Sequence, residues 1–283
     1  MDWLKAMQSV KDALGRKITW KHLLTGTVVT VGMNVGILGA LFGAYRWTYA
    51  DYLEAMKKFK ETHGRTPPEK HRLEAFAYYA EKYDKAMGRH EETGADLYRE
   101  QLLIKSRGDV LEVAVGTGRC FGALTKSGLI KSYVGVDKVK EMIDVAQKKL
   151  QDLPFEARVL QADAAALPFP DKSFDTVIGS LCLCSVEQPE AALDEMARVC
   201  RDSGRILLVE RGLSCNPFIR TAQDWLGLAP DPRHAWTAGY FDDLEPRKVF
   251  EGCTRVKLES LTHSWMGNWY MITALPRAIA TQE

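Results

Sequence analysis

The feature that most constrains the fold of this chain is an apolar segment that runs into a glycine turn at residues 109–120, DVLEVAVGTGRC. The apolar positions around Glu112 predict a short buried strand. In the turn Gly116-Thr117-Gly118, two residues carry no Cβ, so the backbone can bend sharply and a ligand can approach it closely. A strand followed by such a turn is typical of nucleotide-type pockets.

Acidic residues follow this turn at informative positions. A second apolar strand, predicted at residues 133–136, ends in Asp137, about 20 residues past the glycines, where a carboxylate can accept hydrogen bonds from ribose hydroxyls. A third, predicted at residues 157–162, ends in Asp163. Because ligands bind at the carboxyl ends of parallel strands, we expect the turn and both acids to line one cleft.

These segments resemble the class I S-adenosylmethionine-dependent methyltransferases over residues 73–276. Residues 110–118 are similar to the family's first motif, Asp137 to its ribose acid and Asp163 to its adenine-side acid. Residues 167–175 resemble the segment that enters the fourth strand. The look-alikes are quinone-biosynthesis C-methyltransferases and membrane-anchored methyltransferase-like proteins, including those of the mitochondrial inner membrane.

The resemblance implies S-adenosyl-L-methionine as the cofactor. Ala114 stands where the family has the first glycine of its E-x-G-x-G-x-G pattern, which narrows the room beside the cofactor. Tyr79 and Tyr83 belong to a tyrosine-rich helix that is similar to the family's lid over the pocket, although plain packing on the sheet explains such a helix equally well. The implied cofactor-binding residues are Glu112, Ala114, Gly116, Thr117, Gly118, Asp137, Lys138, Asp163, Ala164, Leu181 and Tyr83.

The alternation of helix and strand predicts an α/β fold, a doubly wound Rossmann-like sheet that in this family has seven strands. Helices are predicted at 139–150 and 189–201, the second stopped by Ser203-Gly204, and strands at 174–180 and 205–210. The alternating segments 255–262 and 269–274 are joined through Met266-Gly267-Asn268 and predict an antiparallel closing hairpin.

A single transmembrane helix is predicted at residues 22–46, because residues 23–45 carry no charge. At about 1.5 Å per residue this stretch spans roughly 35 Å, enough for a hydrocarbon core of about 30 Å. Its threonines, its asparagine and its five glycines dilute the hydrophobicity, so a buried helix of a soluble core is the other interpretation. The glycine pairs 32/36 and 39/43 predict a smooth face for a partner helix.

The remaining domain boundaries follow from this helix. Residues 1–21 predict a basic amphipathic helix, which suits a membrane surface or a mitochondrial targeting signal. Residues 47–72 predict a juxtamembrane helix and linker broken at Thr66-Pro67-Pro68, and residues 73–283 form the methyltransferase domain. We expect contact with membrane lipid in the mitochondrial inner membrane, with the endoplasmic reticulum as the alternative.

Charge and cysteine spacing weigh against two classes of function. The net charge is +1, and because residues 1–72 hold 12 basic and 6 acidic side chains, residues 73–283 carry −5. An acidic domain makes nucleic acid an unexpected partner. The six cysteines show no CxxC pair and no Cys/His spacing suited to zinc, so we expect reduced, packed thiols and no metal.

Two hypotheses of function remain. In the first, the chain is an active methyltransferase for a small hydrophobic substrate, bound beside the lid and the segment after the fifth strand. His234 in that segment is the candidate catalytic base, because imidazole titrates near neutrality, with a structural histidine as the alternative. In the second hypothesis, the chain is a weak or inactive anchored assembly factor of a membrane or ribosomal complex.

Overall fold

The computed structural model describes residues 66–85, 95–226, 233–264 and 267–277, together with positions 54, 58 and 61. The predicted amphipathic helix at 1–21 and the predicted transmembrane helix at 22–46 lie outside the described residues. Within the described ranges, no helix has both the length and the apolar character needed to cross a bilayer. The residues from 66 onward belong to the compact unit His63–Glu283.

Helices and strands alternate along this unit. The strands are β1 (Gly108–Val113), β2 (Ile130–Asp137), β3 (Glu156–Gln161), β4 (Phe174–Ser180), β5 (Cys200–Arg211), β6 (Val256–His263) and β7 (Trp269–Pro276). The α-helices are α1 (Glu69–Tyr79), α2 (Ala95–Leu103), α3 (Phe121–Leu124), α4 (Lys140–Gln147), α5 (Pro189–Val199), α6 (Pro217–Leu226), α7 (Arg233–Thr237) and α8 (Pro246–Gly252). Residues 69–72, assigned to the linker from sequence, form the first turn of α1.

The strands form one seven-stranded sheet in the order β3-β2-β1-β4-β5-β7-β6. Strands β1 to β5 pair in parallel, and β7 pairs antiparallel with both β5 and β6. The predicted doubly wound sheet and its antiparallel closing hairpin are confirmed. Because the strand order reverses beside β1, the connections after β1 and β4 diverge to opposite sides and leave a crevice at the carboxyl edge of the sheet.

The core lies on both faces of this sheet, which explains why β1 reads as a continuous apolar run. Val110, Leu111 and Val113 are fully buried, as expected for a strand of a parallel sheet with both faces covered. On one face, Leu193 and Met196 of α5 are fully buried against the same core. Each such side chain contributes roughly 1.5 to 3 kcal/mol, so the central strands are held firmly where the cavity is built.

The predicted bounds differ most from the structure where α5 ends and β5 begins. Helix α5 ends at Val199 rather than at Arg201, and β5 begins at Cys200 rather than at Arg205. The reason is that the backbone amides of Lys172 and Ser173 donate hydrogen bonds to the carbonyls of Arg198 and Val199, at 2.9 and 2.8 Å. These bonds hold the chain in an extended conformation before the glycine. The Ser203-Gly204 pair lies in an irregular part of β5, where a Cβ at Gly204 would come 2.7 Å from Cys200 Sγ.

Candidate active site

A cavity of about 250 Å³ lies at the carboxyl edge of the sheet, lined by residues that follow β1, β2, β3 and β4. The predicted cofactor-binding residues converge there, with one exception. Those that line the cavity are Glu112, Ala114, Gly116, Thr117, Asp137, Lys138, Asp163, Ala164, Leu181 and Tyr83. The exception, Gly118, does not line it.

The glycine turn has two glycines with different reasons to be glycine. Both have positive φ angles, 54° at Gly116 and 82° at Gly118. A Cβ at Gly116 would meet no atom within 4 Å, so this backbone faces open space where a ligand can approach. A Cβ at Gly118 would come 2.5 Å from the ring of Phe121. Gly118 is therefore required by packing, whereas Gly116 leaves room in the cavity.

Ala114 also has a left-handed backbone, with φ at 57°. This conformation costs an L-residue with a side chain roughly 1 to 2 kcal/mol, and glycine avoids the cost. The geometry explains why the resembled pattern has glycine at this position. The alanine is thus a strained residue in the wall of the cavity.

Asp137, the last residue of β2, is fixed by backbone amides. Its Oδ2 accepts from Gly116 N at 2.8 Å, and its Oδ1 accepts from Val139 N at 2.9 Å. Burial raises the pKa of this carboxyl, while these amides and that of Lys138 oppose the increase. Each carboxylate oxygen has more than one acceptor site, so Asp137 keeps acceptor capacity for the two hydroxyls of a ribose.

Glu112 lies in a buried polar network at the base of the cavity. Burial raises the pKa of Glu112 to about 7, although the hydroxyl of Tyr133 donates to its Oε2 and nearby Arg99 favours its charged form. Arg99 of α2 donates from Nε to Ser180 Oγ at 2.8 Å and pairs with Asp96 at 2.8 Å. Since Arg99 also lines the cavity, a cationic and a buried acidic group stand near each other at one end.

Asp84 holds Thr117 in place from outside the turn. Thr117 Oγ1 donates to Asp84 Oδ1 at 2.6 Å, and Lys149 Nζ bridges Asp84 Oδ2 and the Thr117 carbonyl, both at 2.6 Å. Partial burial would raise the pKa of Asp84, but the hydrogen bonds from Lys149 and Thr117 outweigh it and lower the pKa. Arg119, which lines the cavity, lies 3.7 Å from the same carboxylate.

Asp163 is joined to α1 through Lys138. Lys138 Nζ lies 2.7 Å from Asp163 Oδ2 and 2.7 Å from Glu69 Oε1. Partial burial would raise the pKa of Asp163, but the hydrogen bond from Lys138 outweighs it and lowers the pKa. The predicted adenine-side acid therefore carries its charge beside a lysine that also contacts the first turn of α1.

Helix α1 covers the cavity with apolar side chains. Leu73 and Phe76 line it, and Tyr83 follows just after the helix. Tyr79, the other predicted lid residue, does not line the cavity and is 38% exposed. From this segment Glu69, Leu73, Phe76 and Tyr83 line the cavity, so Tyr83 is the one predicted lid residue that does so.

Buried Arg72 ties α1 to the segment after β4. Its side chain is 1% exposed, its NH1 donates to the Ser185 carbonyl at 3.0 Å, and its NH2 pairs with Glu187 Oε2. The guanidinium also stacks over the ring of Phe241, 4.6 Å from the centroid. Because Ser185 and Glu187 line the cavity, Arg72 joins its two facing walls without lining it.

His234 does not line the cavity. Its Nδ1 pairs with Asp242, and its ring stacks on Tyr240 with centroids 5.4 Å apart. Two other polar residues of the segment after β5 have structural contacts: Asn216 Oδ1 accepts from Phe218 N at the start of α6, and Arg220 donates to the Ser214 carbonyl. Residues 185–188, which the sequence analysis missed, line the cavity instead.

Two buried cysteines, Cys120 and Cys182, lie in or next to the cavity lining. Cys120 lines the cavity and is buried, and Cys182, which follows the lining residue Leu181 in the chain, is fully buried. Burial raises the pKa of both thiols well above its usual range, and nearby carboxylates raise it further. Both thiols are protonated at neutral pH, which agrees with packing rather than a nucleophilic role.

Several lining residues had no sequence signal. Arg99 lies on a helix that the sequence analysis did not identify, and Arg119 is one of many surface-type arginines in sequence. Leu73 and Phe76 are spaced three apart on a helix, which is the only pattern that could have marked them as one face. Glu187 could be assigned only after Arg72, 115 residues earlier, was seen beside it.

Residues 111–208 match a family model described as a methyltransferase domain. A ubiquinone/menaquinone biosynthesis C-methyltransferase, UbiE of Hahella chejuensis, is 34% identical over 56% of this chain and 67% of its own length. A phosphatidylethanolamine N-methyltransferase of Cereibacter sphaeroides is 38% identical over 36% of this chain and 50% of its own. Matches to these and other curated relatives span 40 to 67% of those relatives' lengths.

Among solved structures, the DhpI–SAH complex has a TM-score of 0.55 and 21% identity, and covers 75% of this chain and 98% of its own. That similarity agrees with the fold. The chain belongs to the class I S-adenosylmethionine-dependent methyltransferases. Within that family it is similar to the quinone-biosynthesis type, and S-adenosyl-L-methionine is its cofactor.

The residues present fit this cofactor. Open space beside Gly116 gives its backbone room to meet a ligand, and Asp137 offers acceptors for the ribose. Asp163 would lie on the adenine side. Glu112 and Arg99 would hold the amino and carboxylate groups of the amino-acid end, because their charges are opposite to those groups.

Proposed function

We propose that this protein is a membrane-anchored methyltransferase that acts on a small hydrophobic acceptor. One observation carries the proposal: Leu73 and Phe76 of α1 add apolar side chains to the lining of the cavity that holds Asp137. Polar groups suited to the cofactor and apolar side chains thus line one cavity, and burying an apolar acceptor there is favourable by roughly 25 cal/mol per Å².

When bound, the cofactor supplies a methyl group on a sulfonium, which is already activated for in-line displacement. The chain's own task is to position the two reactants and exclude water. Asp137 and the glycine turn fix one reactant by backbone-anchored contacts. Helix α1 covers the other and separates it from solvent.

The polar groups on the acceptor side point to an acceptor with a ring hydroxyl or carbonyl. Glu187 and Gln188 line that wall beside Ser185 and can orient such a group by hydrogen bonds. UbiE is named for ubiquinone and menaquinone biosynthesis. An aromatic or quinone-like ring with an apolar substituent would suit both the polar and the apolar side chains of the lining. His234 acts as the base in this proposal only for an acceptor that extends beyond the cavity lining to the His234 ring.

The membrane part of the proposal rests on the uncharged sequence at residues 23–45. A spanning helix there would tether the methyltransferase domain to a membrane, where a hydrophobic acceptor is concentrated. We propose the mitochondrial inner membrane, with the endoplasmic reticulum as the alternative, and a partner helix packed on the glycine face. Carbonate extraction tests the anchor: release of the wild-type protein into the soluble fraction contradicts it.

An inactive assembly factor is the second candidate. The strained Ala114 in the cavity wall and the position of His234 away from the lining favour it over a typical enzyme of this fold. The two candidates differ in turnover. The purified full-length protein is incubated with membrane extract and cofactor carrying an isotopically labelled methyl group, and products are identified by mass spectrometry.

An active enzyme transfers the label to a hydrophobic small molecule. A substitution of Phe76 by Asp should abolish that transfer, because it places a charge among the apolar side chains that line the cavity. Replacement of the exposed Tyr78 by Asp is the matched control on the same helix. Absence of any labelled product with intact cofactor binding contradicts the enzyme and supports the assembly factor.

A further inference from the structure

Glu210 is a buried acidic residue outside the lining of the cavity. It is the second last residue of β5, and its exposure is 0%. Strand β5 pairs in parallel with β4, with Ser180 opposite Val209, so Glu210 lies next to the turn that follows β4. That turn includes Leu181 and Ser185, both of which line the cavity.

The carboxylate of Glu210 is bound to the backbone of this turn. Its Oε1 accepts from Cys182 N at 2.9 Å and from Leu183 N at 3.0 Å. In the part of the chain that the structure describes, its Oε2 has no hydrogen-bond partner. Successive amides directed at one carboxylate oxygen form an anion-binding concavity, here filled by a side chain of the neighbouring strand.

The same turn contains a strained residue. Leu181 has φ at 56°, a conformation that costs a residue with a side chain roughly 1 to 2 kcal/mol. Such a residue persists only where the surrounding contacts determine it. Its own amide is held by the Val209 carbonyl at 2.8 Å, and the next two amides are held by Glu210.

Burial of the Glu210 carboxyl costs free energy unless another interaction compensates for it. Burial raises the pKa of Glu210 to about 7, and the amides of Leu183, Cys182 and Cys184 only partly oppose it. An apolar side chain would avoid that cost but would leave two buried amides without acceptors. The shape of the turn is what the carboxyl maintains.

We propose that Glu210 is a positioning residue for the cofactor, which holds the turn after β4 so that Leu181 forms the wall of the cofactor site. It acts through the backbone of Cys182 and Leu183 and touches neither reactant. The inference rests on cofactor binding alone. It needs no acceptor and no membrane anchor.

The test is a calorimetric titration of the full-length protein with S-adenosylhomocysteine. Glu210→Ala removes the acceptor of both amides, and we expect the affinity to fall about tenfold. Glu210→Gln keeps an acceptor oxygen at the same position and should bind within about threefold of the wild type. Glu210→Asp keeps the charge but withdraws it by one methylene, and should fall between them.

Glu195→Ala is the matched control. Glu195 also accepts a loop amide, that of Leu167 at 2.9 Å, but neither residue lines the cavity. This variant should lose stability and keep its affinity. Hydrogen exchange of the ligand-free proteins adds a local measurement, in which the amides of Cys182 and Leu183 lose protection in the alanine variant and keep it in the glutamine variant.

Three outcomes overturn the inference: wild-type affinity in Glu210→Ala, an equal loss in Glu195→Ala, or a glutamine variant as weak as the alanine variant. If Glu210→Ala does not fold, Glu210→Asp decides, and unchanged affinity in it overturns the inference as well. No titration contains a methyl acceptor. Failure here is therefore distinct from failure of the proposed acceptor or anchor.

Discussion

The two ends of the cavity are built in different ways. At the cofactor end, strand ends and backbone amides fix the functional groups: Asp137 is held by the amides of Gly116 and Val139. At the proposed acceptor end, side chains distant in sequence hold α1 against the segment after β4, with Arg72 paired to Glu187. The first end is part of the sheet, whereas the second is attached to it and is easier to change without loss of the fold.

The largest effect is expected from pH at the cofactor end. The pKa of Glu112 is about 7 in the folded protein, above the ordinary value of 4.5. The folded state therefore keeps a proton that the unfolded state has released between these values, and stability falls as pH rises from about 4.5 to 7. The loss amounts to about 3 kcal/mol.

Urea unfolding of the ligand-free protein at pH 5, 6 and 8 measures this loss together with that from buried Glu210, whose pKa is also raised to about 7. Glu112→Gln accepts the Tyr133 hydroxyl without titrating, so it should flatten the decrease by the same amount. Glu156→Gln, at an exposed position in β3, is the control and should leave the pH dependence unchanged. Equal slopes in wild type and Glu112→Gln would show that Glu112 is already charged at pH 5.

The second effect tests the backbone-held acid. Asp137→Ala removes the acceptor for a ribose, and we expect a loss of ~1.5 to 3 kcal/mol in cofactor binding, roughly tenfold to a hundredfold. Calorimetric titration with S-adenosylmethionine measures it. Asp144→Ala removes an exposed acid paired with Lys140 on the next helix and should bind normally. A Kd for Asp137→Ala within about threefold of wild type contradicts the assignment.

The third effect concerns the acceptor end. Arg72→Met keeps much of the side-chain volume but removes the ion pair and the carbonyl contacts, and should cost ~1 to 2 kcal/mol. The figure is below that of a fully buried pair because Glu187 is 44% exposed. Hydrogen exchange should show α1 losing protection, while cofactor affinity changes less than in Asp137→Ala.

Lys70→Met on the same helix is the control for Arg72→Met. Lys70 is exposed and lies 4.0 Å from Glu74, so its loss should leave the exchange of α1 unchanged. If α1 keeps its protection in Arg72→Met, apolar packing alone holds the helix. The ion pair between Arg72 and Glu187 would then contribute less to holding α1 than the contrast between the two ends of the cavity assumes.

The smallest effect returns to the cofactor end. Ala114→Gly relieves a left-handed backbone but makes the unfolded chain more flexible, so we expect a net stabilisation of roughly 0.5 kcal/mol. Thermal unfolding measures it, and cofactor affinity should stay equal or rise. Ala123→Gly, in the helix after the turn, is the control and should destabilise. A destabilised Ala114→Gly would mean that the alanine methyl makes contacts worth more than the strain.

The same contrast explains what the sequence could predict. Glycines at positive φ and acids at strand ends are local signals, so the turn at Gly116 and the position of Asp137 were accessible from spacing alone. Arg72 and Glu187 meet only because the chain folds, and no local pattern marks either. The end of α5 was mispredicted for a related reason, since the amides of Lys172 and Ser173 that end it come from an earlier segment.

Lys138 has a consequence for the order of events. Its ammonium lies 2.7 Å from Asp163 and 2.7 Å from Glu69 of α1. A ligand that contacts Asp163 changes the ion pair between Lys138 and Glu69. By thermodynamic reciprocity, the position of α1 changes the affinity of the protein for that ligand. Through the ammonium of Lys138, the ligand that binds in the cavity first thus affects how the second ligand enters.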